Sequence, residues 1–61
     1  MILLLRPADA ARALGISVRT LWELSEHGEI PRVKIGRMVG YSVQSLRDYV
    51  ARKEREGGYA R

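Results

Sequence analysis

Ser17-Val18-Arg19-Thr20-Leu21-Trp22-Glu23-Leu24, then Gly28 and Pro31, then Arg32-Val33-Lys34-Ile35-Gly36-Arg37-Met38-Val39-Gly40-Tyr41: this stretch decides the fold. Ser17 is a ready N-cap for a helix. On that helix Val18, Leu21, Leu24, Ser25 and Gly28 fall on one side, which predicts the packed face. Arg19, Glu23 and Glu26 fall on the other, with Thr20, Trp22 and His27 at its borders. Glu29-Ile30-Pro31 ends the helix, because proline forces its predecessor toward extended geometry. Val33 and Ile35 then alternate with Arg32 and Lys34, the period of a half-buried strand. Gly36-Arg37 reads as a tight hairpin turn with glycine first, and Met38–Tyr41 as the returning strand. From Arg32 to Tyr41 the chain carries basic side chains and no acid.

Upstream, Pro7 suits the first position of a helix, where its missing N–H costs nothing. Ala8 to Leu14 continue it, with Ala10, Ala11 and Leu14 on one face, and Leu5 is placed to staple onto Ala10. Gly15 supplies a left-handed stop and Ile16 the apolar contact that accompanies such a cap. Only Gly15-Ile16-Ser17 separates the two helices, so the angle between them must be sharp: a helix-turn-helix unit. Downstream, Ser42 caps a last helix with Val43, Leu46, Tyr49 and Val50 as its apolar stripe. Arg47, Asp48, Arg52, Lys53, Glu54, Arg55 and Glu56 are expected on its outside. Gly57-Gly58 should stop it, leaving a frayed tail over residues 57–61. The expected fold class is mainly α with a small β-hairpin, a winged helix-turn-helix over residues 1–56.

The totals narrow the function classes. The 61 residues, opening on Met1 and closing on a charged tail, read as one whole small domain. There is no cysteine, which excludes disulfides and thiolate metal sites and suits a cytoplasmic protein; one histidine cannot form a metal cluster alone. The only apolar run, Met1–Leu5, is far shorter than the roughly 20 residues that span a bilayer. It lacks the flanks of a signal peptide and reads as a short strand or anchor. The net charge is +4, divided as −1 over residues 1–31 and +5 over residues 32–61. A positive field over hairpin and tail favours polyanions through counterion release. No P-loop, dinucleotide glycine pattern or paired carboxylates point to an enzyme or to any cofactor.

Ala10-Ala11, Leu14-Gly15-Ile16-Ser17, Arg19-Thr20-Leu21, Gly28-Glu29-Ile30-Pro31, Val33, Ile35-Gly36-Arg37 and Leu46 resemble the excisionase branch of the MerR-like winged helix-turn-helix domains. The resemblance runs over about residues 3–50. It implies a protein that binds and bends double-stranded DNA at phage or plasmid attachment sites and so sets the direction of integrase-driven recombination. Integrase, and further copies of the chain bound cooperatively to DNA, are the implied partners, in the cytoplasm of a bacterial host. Two positions depart from the family pattern. Arg6 stands where a capping serine or threonine is usual, which costs the helix start about 1 kcal/mol and leaves Arg6 free to face a phosphate. Met38, Val39 and Gly40 replace more basic and aromatic residues, so a weaker or differently shaped wing is expected.

In such a domain the first half of the second helix reaches base edges and the wing enters the adjacent minor groove. Arg19 is the first candidate, since its fork matches two acceptors of a guanine; pairing with Glu23 one turn on is the alternative. Thr20 can reach a phosphate or a thymine methyl, and Ser17 can add a phosphate contact to its capping role. Trp22 is expected to be part core, its indole N–H pointing to a phosphate. Glu23 can accept from a cytosine amino group, but more simply pairs with Arg19. Arg37 at the hairpin tip would enter the minor groove, with Lys34 and Arg32 flanking it on phosphates. His27 has no partner that would make it a catalytic base or a ligand. Two other functions fit the same residues less closely: a small transcription regulator of the AlpA-like kind, and a protein-interaction module such as an antitoxin.

Overall fold

The computed structural model describes residues 1–57. Its elements run β1 (Leu4–Leu5), α1 (Pro7–Leu14), α2 (Val18–Glu26), β2 (Val33–Ile35), β3 (Met38–Ser42) and α3 (Val43–Arg55). The two-stranded wing is therefore part of a three-stranded antiparallel sheet in the order β1-β3-β2. The apolar N-terminal run contributes its last two residues as the strand β1, Leu4 opposite Ser42 and Leu5 opposite Tyr41. β3 pairs with β2 through Val33–Gly40, Lys34–Val39 and Ile35–Met38, which leaves Gly36 and Arg37 as a two-residue turn. Gly36 has φ 61 while Arg37 keeps a negative φ, so only the first turn position needs glycine.

Local chemistry fixes the helix ends. Gly15 adopts φ 76, its N–H reaches Arg12 O at 3.1 Å and the Ile16 N–H reaches Ala11 O at 3.0 Å. These two bonds satisfy carbonyls that the end of α1 would otherwise leave open. α2 ends in the same pattern, with Gly28 N–H on Ser25 O at 3.1 Å and Glu29 N–H on Leu24 O at 2.9 Å. Ser42 Oγ accepts from the Ser45 N–H at 2.9 Å at the start of α3. Arg6, the residue before α1, makes no side-chain capping bond. Gly57 follows α3 with φ 73; the remaining tail, residues 58–61, lies outside the described residues.

The core is Ala10, Ala11, Leu21, Ile30, Tyr41 and Leu46, flanked by Leu5, Leu14, Ile16, Leu24 and Tyr49. Each large side chain buried completely, such as Leu21 or Ile30, contributes about 1.5–3 kcal/mol. The alanines of α1 let α2 approach closely. Tyr41 is fully buried, and its hydroxyl donates to Ser25 Oγ at 3.3 Å, which in turn donates to Trp22 O at 3.0 Å. Ser25 thus occupies the inner face of α2 as a satisfied polar residue.

Four side chains lie elsewhere than periodicity places them. Val18 is 48% exposed because it opens α2, one turn before the first buried position, Leu21. Ile35 is 59% exposed, since it adjoins the turn where the hairpin leaves the core. Val50 is also exposed, at 42%; past Leu46 only Tyr49 of the stripe still packs on the core. Arg52 is not on the outside of α3. Its guanidinium donates to Glu29 Oε1 at 2.7 Å and to Glu29 O at 3.4 Å, tying α3 to the end of α2.

Candidate nucleic-acid interface

The candidate interface is built on α2. Ser17 Oγ accepts from the Thr20 N–H at 3.0 Å and its own proton goes to Thr20 Oγ1, also at 3.0 Å. The serine hydroxyl is thereby spent on the cap, while the Thr20 hydroxyl keeps its proton to donate outward. Both residues are exposed, and the first turn of α2 holds no acid to repel a phosphate.

Arg19 pairs with Glu23 at 3.7 Å, with both side chains well exposed. Such a pair stabilises a helix by about 0.3–0.5 kcal/mol, so Arg19 can leave Glu23 for a base edge at small cost. Trp22 follows one turn along, 45% exposed rather than core. The Arg32 guanidinium covers its ring at 4.1 Å from the centroid and donates to Glu26 Oε2 at 2.9 Å. The root of the wing is therefore fastened to the outer strip of α2. Held between Trp22 and Glu26, Arg32 would have to exchange Glu26 for a phosphate before it could contact one.

His27 ends α2. Its Nδ1 lies 2.8 Å from Glu23 O, and because a carbonyl only accepts, Nδ1 carries the proton and donates. Among the described residues no group of His, Asp and Glu side chains is placed to hold a metal ion, and no helix is long and apolar enough to cross a membrane.

The pattern of ion pairs locates the positive surface. Every acid from α2 through Glu29 is matched: Glu23 with Arg19, Glu26 with Arg32, Glu29 with Arg52. Glu23, a poor neighbour for a phosphate by itself, is offset in this way. Among the described residues Arg6, Lys34, Arg37, Arg47 and Arg55 make no ion pair. Three of these five, Arg6, Lys34 and Arg37, lie on the hairpin and at the start of α1. Sequence reasoning found Lys34 and Arg37 there, but missed the Trp22–Arg32 stack, which joins residues in separate elements and leaves no periodic trace.

A helix-turn-helix domain family model matches residues 4–54, from β1 to the last turn of α3. Comparison with curated proteins and with solved structures gives no match. The matched residues take in α1, the Gly15-Ile16-Ser17 turn, α2 with its outward strip, the hairpin and nearly all of α3. The chain belongs to the helix-turn-helix domain family, and it is a DNA-binding domain of that kind.

Proposed function

We propose that the protein is an architectural DNA-binding factor of excisionase type, one that binds and bends attachment-site duplex to favour integrase-mediated excision. In this reading α2 enters the major groove, Arg19 reads a base edge, and Thr20, held by the Ser17 cap, sets the register on a phosphate. Glu23 holds Arg19 until it engages. Trp22 and Arg32 brace the hairpin, and Lys34 and Arg37 carry positive charge to the adjacent minor groove. The observation that supports it is the pairing pattern: Arg19, the cation of α2, is lightly tethered by Glu23, while Lys34 and Arg37 on the hairpin have no acid partner among the described residues. One copy presents a single short helix and contacts only a few base pairs, so useful specificity requires several copies on repeated sites.

A gel-shift and circular-permutation series on attachment-site and random duplexes tests this. Cooperative binding to direct repeats with a marked bend is expected. Sequence-specific binding without a bend would favour the transcription regulator, and equal weak binding to every duplex would reject both.

A further inference from the structure

Arg6 and Arg37 lie far apart in sequence, yet both line one shallow, open concavity of about 470 Å³, with Pro7, Met38 and Val39 as its other walls. The sheet register explains the meeting. Leu4 pairs with Ser42 and Leu5 with Tyr41, so continuing that register brings Arg6 and Pro7 alongside Gly40 and Val39. Gly40 makes the approach possible: a Cβ there would lie 3.0 Å from Leu5 O. Neither arginine has an ion-pair partner among the described residues, and Arg6 is not spent on capping α1. Two arginines lining a hollow with apolar walls concentrate positive potential at it. The planar, multiply donating guanidinium also suits the oxygens of a phosphate.

We propose that Arg6 and Arg37 form one phosphate-binding site, taking a single phosphodiester of the DNA backbone that borders the minor groove. Arg37 then grips the groove's edge together with Arg6, and does not probe its floor alone. The source of the phosphate rests on the duplex-binding reading; the site itself does not.

Two measurements on the full chain test it. In the first, inorganic phosphate replaces chloride at constant ionic strength, followed by amide and arginine-Nε NMR. Shifts should concentrate at Arg6, Ala8, Arg37, Met38 and Val39, and both Arg6→Gln and Arg37→Gln should remove them. Shifts as large at Lys34 and Arg47, or shifts that survive either substitution, would overturn the site. In the second, duplex affinity is measured for the two single variants and the double. Each single loss should be about fivefold, the size of one exposed charge pair, and the double variant should fall well short of their product. Losses that multiply would overturn a shared phosphate. Localised phosphate binding by a chain that ignores duplex would keep the site and reject the DNA reading.

Discussion

The guanidinium of Arg32 sits over the ring of Trp22, its Cζ 4.1 Å from the centroid, while bonding Glu26 at 2.9 Å. The link joins the outer strip of α2 to the root of the hairpin, and so ties the two elements that the proposed function places on DNA. Arg32→Ala should lower stability by on the order of 1 kcal/mol, from the lost stack and a partly exposed ion pair. It should also shift Trp22 emission to the red as the ring face opens to water. Arg32→Lys should keep the ion pair but recover little of the emission, because an ammonium cannot lie flat on the indole. Denaturant titration followed by fluorescence measures both; unchanged emission in Arg32→Ala would rule the stack out.

Removing each of the two hydroxyls of the buried chain should have unequal effects. Tyr41→Phe leaves Ser25 still donating to Trp22 O, so its cost is one hydrogen bond, about 1 kcal/mol. Ser25→Ala leaves the Tyr41 hydroxyl buried without a partner, which costs about 1–3 kcal/mol. Urea midpoints of the two variants should fall in that order, with Ser25→Ala the less stable.

Gly40→Ala should destabilise through a backbone contact that cannot relax easily. The new methyl would meet Leu5 O at 3.0 Å, pushing β1 from β3. A loss of about 1–3 kcal/mol is the usual scale for overfilling a packed site. In a chain this small that is a large share of the whole stability. Amide exchange should show the protection of β1 failing first; equal loss throughout the domain would mean that β1 and β3 are not held at this point.

Arg19→Ala and Lys34→Ala should separate specificity from affinity. A bidentate base contact supplies about 1–3 kcal/mol of discrimination, so the Arg19 variant should bind preferred and random duplexes more equally. The Lys34 variant should weaken binding to every duplex and flatten the log–log salt dependence by about 0.9, the contribution of one phosphate. Affinities at two salt concentrations suffice to tell the two patterns apart.

The elements were legible where the governing chemistry is local. Ser17 and Ser42 as caps, Gly15 as a left-handed stop and Gly36-Arg37 as a glycine-first turn each depend on bonds spanning a few residues. Arg19 with Glu23 followed from one turn of helix. What could not be read joins distant residues: Tyr41 to Ser25, Arg52 to Glu29, Arg32 to Trp22, Leu4 and Leu5 to β3. Sheet register and the crossing of α3 decide those contacts, and neither leaves a period in the sequence. Val18, Ile35 and Val50 went astray for a related reason. Periodicity identifies the face of an element but not where along its length the core ends. Arg6 and Gly40, read separately as departures from a family pattern, sit side by side once the register is known.

The most direct test is amide shift mapping of the labelled protein with a short duplex at low salt. Arg19, Thr20 and Trp22 of α2 should shift together with Arg6, Lys34 and Arg37, while Arg55 and the last turn of α3 stay in place. Shifts centred on Arg47 and Arg55, with the α2 strip and the hairpin unmoved, would contradict binding of one duplex by helix and wing together.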